Sequence, residues 1–127
     1  YNVHMIGGME DYAISQQIIE KSERKGMFNL CGALSFLETA ALMKGAVMNY
    51  VNDSAPLHIA SAMNAPVTAI FCSTIPGFGF YPVSDQSRIV EMDGEIPCRP
   101  CGVHGFNACP EKHFKCALTI DVNKLLF

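Results

Sequence analysis

Short apolar runs alternate with longer amphipathic stretches through the first 72 residues of the chain, and this rhythm predicts its elements. Residues 1–6 read as a strand, followed by a Gly7-Gly8 turn. Over residues 10–25 the apolar positions Ala13, Ile14, Ile18 and Ile19 recur at helical spacing above a charged C-terminal end, and Gly26 closes the helix. Residues 27–30 make a second short strand. Ser35 is suited to cap a helix running to Lys44, with Glu38 three residues on completing a capping box, and Gly45 stops it. Residues 46–51 and 67–71 are the third and fourth strands, separated by a helix that starts near Pro56.

Strand–helix alternation of this kind predicts an α/β fold with right-handed crossovers and a Rossmann-like parallel sheet with helices on both faces. The strands are apolar without alternation, as expected where both faces are covered. After Cys72 the rhythm breaks. Residues 73–86 carry Pro76, Gly77, Gly79 and Pro82, which predicts a long loop of the functional kind. A short strand near residues 88–90 follows, then an irregular Cys-containing region. Thr119 is placed to cap a last helix holding Val122, Leu125 and Leu126.

Half of the 127 residues are hydrophobic, yet no apolar run approaches the roughly 20 residues a membrane-spanning helix needs. The net charge is −3 and Lys and Arg do not cluster, which argues against nucleic acid as the main partner. The length suits one domain, over residues 1–127. A cytoplasmic setting is the default. The chain opens directly on a core-like strand, without an initiator Met, so a fragment of a longer protein is expected.

The richest stretch chemically is Tyr50-Val51-Asn52-Asp53-Ser54-Ala55-Pro56-Leu57-His58-Ile59-Ala60-Ser61-Ala62. It reads as a strand end, a polar turn and a helix start. Asp53 or Ser54 can cap the helix, and Pro56 suits the first turn, where no amide hydrogen is needed. Free N–H groups and the positive end of the helix dipole make such a turn a site for a diphosphate, with His58 in reach of the same anion. An ordinary strand-to-helix turn is the plainer alternative. Four turns fall at strand ends, at residues 7–11, 31–35, 52–56 and 73–80, where ligands of open α/β sheets bind. No G-x-G-x-x-G follows the first strand, so a dinucleotide-binding dehydrogenase is disfavoured.

Asp53-Ser54-Ala55-Pro56-Leu57-His58-Ile59-Ala60-Ser61-Ala62 and Pro66-Val67-Thr68-Ala69-Ile70-Phe71 resemble the D-[ST]-G-x-x-H-[LI]-A-x-A…P-x-x-x-[LIV]-[FY] signature of glycosyltransferase family 9, the ADP-heptose:lipopolysaccharide heptosyltransferases and their relatives. Ile6-Gly7-Gly8-Met9-Glu10-Asp11, Asn29-Leu30-Cys31-Gly32-Ala33-Leu34-Ser35 and Ser73-Thr74-Ile75-Pro76 agree in order and spacing. Ala55 departs from the pattern, standing where the family usually has glycine. The resemblance implies the second, donor-binding domain of a two-domain GT-B glycosyltransferase. It assigns Asp53, Ser54, Ala55 and His58 to the diphosphate and sugar, Thr74 to the same donor site, and Glu10 to the ribose hydroxyls. For Glu10, a helix-start acid stabilised by the dipole is the alternative. The implied reaction is inverting, metal-independent transfer of heptose or a related sugar from a nucleotide diphosphate sugar, ADP-heptose by analogy, to a lipopolysaccharide core acceptor. Its carboxylate base belongs to the other domain, so no catalytic residue is expected in this chain, which alone would be inactive. Peripheral association with the inner membrane goes with such an acceptor.

Cys98-x-x-Cys101, Cys109 and Cys116 gather thiols in a turn-rich segment at residues 96–118, beside His104 and His113. The set resembles a structural zinc site, although six residues separate the second pair. Zinc, an iron–sulfur cluster and unbound thiols all remain open, and disulfides are disfavoured in a reducing compartment. Members of the resembled family carry similar C-terminal cysteines. Cys31 and Cys72 are expected as small core residues. A non-catalytic, zinc-stabilised α/β interaction module is the alternative function, but it leaves the Asp53-to-His58 turn without a role.

Overall fold

The computed structural model describes residues 1–126 and divides the chain into two compact units, Tyr1–Ala41 and Leu42–Phe127. In the first unit, strand β1 (Val3–Met5) pairs in parallel with β2 (Met27–Asn29). A 3₁₀ turn over Met9–Asp11 leads into helix α1 (Tyr12–Ser22), which packs on β2. The helix ends three residues earlier than its pattern predicts, because Glu23 takes a left-handed conformation. Asn29 ties β2 to α1 by donating to the carbonyl of Tyr12 at 3.0 Å. Ser15 meets Cys31 at 3.2 Å in the buried interior, so Cys31 is the core residue expected of it.

Helix α2 (Phe36–Gly45) starts as its sequence dictates. The Ser35 N–H and hydroxyl both donate to the Glu38 carboxylate, at 2.8 and 2.7 Å, and the Glu38 N–H faces the Ser35 hydroxyl at 3.4 Å. Both halves of the capping box are therefore formed.

The second unit is built on a parallel sheet in the order β3 (Asn49–Asn52), β4 (Val67–Phe71), β5 (Ser87–Glu91). Helix α3 (Ala55–Ala62) packs on β3 and β4, with Leu57 and Ala60 fully buried. Burying a side chain of the size of Leu57 or Phe71 stabilises the fold by about 1.5–3 kcal/mol. Only the central strand β4 is covered on both faces. β3 alternates, with Asn49 and Val51 buried but Tyr50 and Asn52 exposed, which corrects the expectation of uniformly buried strands. Asn49 is buried in place of an apolar residue because its amide donates to the carbonyls of Met43 and Pro66, both at 2.9 Å.

The chain therefore carries two parallel sheets with helices, of two and three strands, in a Rossmann-like α/β arrangement. The C-terminal end differs from expectation. Thr119 does not open a helix; its hydroxyl bonds back to the Lys115 carbonyl at 2.8 Å, closing the short helix α4 (Lys115–Leu118). A 3₁₀ turn over Val122–Leu125 follows, capped by the Asp121 side chain on the Asn123 N–H. Leu126 lies beyond it. No helix among the described residues is long and apolar enough to cross a membrane.

Candidate functional site

Each unit brings two of the strand-end turns together. In the first, the parallel pairing of β1 and β2 sets the turns after them side by side, and the Gly32 N–H donates to the Gly7 carbonyl at 2.9 Å. Gly32 has φ +72°, and a Cβ there would stand 3.0 Å from the Met9 Cα, so glycine is required. The acid that secures the helix start is Asp11, whose carboxylate accepts the Gly8 N–H at 2.9 Å. Glu10 is left exposed, its carboxylate folded over Gly8, where any Cβ would meet it at 2.3 Å. The division of labour between these neighbouring acids is not visible in the sequence.

In the second unit, β3 and β4 deliver the Asp53 and Thr74 turns to one edge of the sheet. The buried Thr74 hydroxyl donates to the Asp53 carboxylate at 2.6 Å. Ser54 occupies the N-cap position of α3, but its hydroxyl points back to the Asn52 carbonyl at 3.4 Å and makes no cap bond. Asp53 is likewise turned to Thr74. The helix start is thus left without a side-chain cap, which corrects the capping role expected of these two residues. Ala55 is the first residue of α3 and Pro56 the second. His58 is exposed one turn in, with its ring edge-on to Phe80 at 6.1 Å between centroids. Phe80 comes from the long loop, whose far end is fastened to α3: Val83 N–H donates to Ser61 Oγ at 3.2 Å and Ser84 Oγ to the Ala60 carbonyl at 3.3 Å.

A further support, absent from the sequence reading, comes from Arg99. Its guanidinium donates twice to the Thr74 carbonyl, at 3.2 and 2.8 Å, and pairs with Glu91 at 2.5 Å. Beside it, the Cys101 N–H donates to the Ser73 carbonyl at 2.8 Å. The Cys-rich segment is thereby fastened to the turn that holds Asp53. The same turn and the residues after β5 border an open groove lined by Ile75, Pro76, Glu91, Ile96 and Arg99.

The four cysteines of that segment are all unpaired, half-buried at Cys98, Cys101 and Cys109 and buried at Cys116. Burial, then the neighbouring Cys101 and Cys109, push the Cys116 thiol up; Arg99 opposes this and Cys98 adds to it. The Phe114 N–H first, with those of His113, Glu111 and Lys112, pulls the Cys109 thiol down against a smaller effect of burial. Cys72 is half-buried instead of core, and burial followed by Cys116 raises its thiol. His104 is exposed, while His113 lies 3.8 Å from Cys98 Sγ. Among the described residues, no three His, Cys, Asp or Glu side chains stand ready around a common metal position.

Residues 1–110 match the model of glycosyltransferase family 9 (heptosyltransferase). The chain belongs to glycosyltransferase family 9. It is 29% identical over 100 residues to lipooligosaccharide heptosyltransferase 2 of Haemophilus influenzae, covering 76% of this chain and 29% of that protein. Over 65 residues it is 38% identical to lipopolysaccharide heptosyltransferase 3 of Escherichia coli, covering 51% of this chain and 19% of that one. Family 9 structures share its fold. E. coli ADP-heptose lps heptosyltransferase II superposes with TM-score 0.65 at 23% identity, over 79% of this chain and 33% of that chain. The family 9 glycosyl transferase of Veillonella parvula superposes with TM-score 0.66 at 24% identity, over 76% and 27% of the respective chains. The chain spans less than a third of the length of the curated relatives it matches.

Proposed function

We propose that this chain is the donor-binding half of an inverting glycosyltransferase that moves heptose, or a related sugar, from a nucleotide diphosphate sugar to a lipopolysaccharide core acceptor. The observation that carries this reading is the uncapped start of α3, with Asp53 held away from it by Thr74 and His58 exposed one turn in. The Leu57 N–H is taken by the Ser54 carbonyl and Pro56 has none, which leaves the start of the first turn and the positive end of the helix dipole to attract a diphosphate. Ser54 and Ala55 offer it the backbone of the first turn, and His58 a side-chain donor. Glu10, relieved of capping by Asp11, is free to accept ribose hydroxyls. By analogy with E. coli ADP-heptose lps heptosyltransferase II, ADP-heptose is the donor of choice.

In the transfer, an acceptor hydroxyl attacks the anomeric carbon as the bond to the diphosphate breaks, inverting the centre. A carboxylate of the partner half takes the hydroxyl proton. The second unit's task is electrostatic: the α3 start and His58 stabilise the charge that grows on the departing diphosphate. This step calls on no metal. An acceptor of this kind fits a cytoplasmic enzyme working at the inner-membrane surface.

ADP titrated into the full-length protein and followed by NMR tests the reading. Amides around residues 53–58 and Glu10 are expected to shift; shifts confined to residues 96–118 would favour a zinc-stabilised interaction module instead. His58→Ala should lower turnover by about 10²-fold while leaving the fold intact.

A further inference from the structure

Residues 93–126 hold little that could order them by burial. Cys116 is the one buried residue among them, and their single α-helix is four residues long. Backbone ordering costs about 1–2 kcal/mol per residue, so a segment of this kind needs another source of stabilisation. Yet it must keep one shape, since Arg99 and Cys101 hold the Ser73–Thr74 turn.

We propose that Cys98, Cys101, Cys109 and Cys116 form a four-thiolate site for one zinc ion, which fixes this segment against the Ser73–Thr74 turn. The first two ligands come from a tight turn, in which Cys101 Sγ reaches the Cys98 carbonyl at 3.3 Å. The other two come from the loop that ends in α4. There the Phe114 N–H donates to Cys109 Sγ at 3.4 Å, the N–H···S contact that supports negative charge on sulfur. Cys116, buried in α4, follows His113 by three residues, and His113 Nε2 stands 3.8 Å from Cys98 Sγ, which ties the two pairs together.

His113 joins the two pairs without being a ligand. Its Nδ1 accepts the Lys115 N–H at 3.0 Å, so in the neutral ring the proton sits on Nε2. Nε2 is 3.8 Å from Cys98 Sγ and therefore donates to that sulfur, which is the usual work of a residue supporting a metal ligand. Thiolates select zinc over the hard cations magnesium and calcium. The four sulfurs do not yet surround one point. Uptake requires side-chain rotation to bring each to about 2.3 Å from the ion. Each thiol that ligates releases its proton to solvent, and no oxidant or reductant takes part.

The test uses the full-length protein, reduced, loaded with zinc chloride and freed of loose metal. About one zinc per chain is expected, with the half-buried Cys98, Cys101 and Cys109 shielded from alkylation only when zinc is present. Cobalt in its place should give the thiolate charge-transfer bands of a tetrahedral site. Cys→Ser at any of the four should abolish retention and His113→Gln should weaken it by about 10–100-fold, whereas Cys31→Ala should keep it. Because a Cys→Ser variant can fail to fold, the alkylation pattern of the native protein decides independently. Negligible zinc with equal alkylation in both states would overturn the proposal. So would disulfides among these cysteines, iron with acid-labile sulfide, or protection of Cys72 in place of one of the four. None of these readouts depends on ADP binding, so the zinc site and the donor site stand or fall separately.

Discussion

Replacing Arg99 by methionine would remove the guanidinium while keeping most of the apolar stem. The side chain is 9% exposed and makes two hydrogen bonds to the Thr74 carbonyl and one ion pair to Glu91. Hydrogen bonds from a charged donor are worth about 1.5–3 kcal/mol, including the cost of leaving a buried carbonyl unmet. The ion pair adds less, at most about 1 kcal/mol, because Glu91 is 39% exposed and water screens it. The sum is about 2–4 kcal/mol, centred below the roughly 3–5 kcal/mol for breaking a fully buried pair. Urea unfolding followed by circular dichroism should show this as a lower midpoint with an unchanged slope, and the melting temperature should fall by on the order of 10 °C. Glu91→Gln should cost much less than Arg99→Met. A loss below about 0.5 kcal/mol for Arg99→Met, or an equal loss for Glu91→Gln, would refute the assignment of the stabilisation to the Thr74 carbonyl.

Thr74→Val deletes the bond to Asp53 at nearly constant volume; ADP affinity measured by calorimetry should fall about 5–30-fold, and Thr74→Ser should restore it. Gly32→Ala must hold a left-handed backbone against the Met9 Cα, so a destabilisation of about 2 kcal/mol is expected in thermal melts. The Ser35 hydroxyl first, then the Ser35 N–H, hold the Glu38 carboxyl below its usual 4.5. A depressed folded value means that its contribution to α2 is present above the unfolded value and is lost as pH falls through the lower folded one. Stability measured from neutral pH down through that range should therefore decline less steeply in Glu38→Gln than in the native protein.

Much of the fold was legible in the chain because it rests on local physics. The capping box at Ser35 and Glu38 and the apolar run of residues 67–71 act within a few residues of themselves, and the structure places both where the pattern does. The Asp53-to-His58 stretch was legible as a strand–turn–helix for the same reason. What remained hidden depends on residues far apart in sequence. The alternation of β3 follows from its place at the edge of its sheet, whereas β4 is central and covered on both sides. Asp53 and Ser54 were equally good caps on paper. Only the meeting of two parallel strand ends, which puts Thr74 beside Asp53, decides that neither caps α3. Arg99 carries no sequence signal of its role, since its partners Thr74 and Glu91 are brought to it by the crossover from β4 to β5 and the chain's return after β5. Side-chain chemistry is written residue by residue, but a hydrogen bond across 21 or 25 positions exists only once the sheet has set its register.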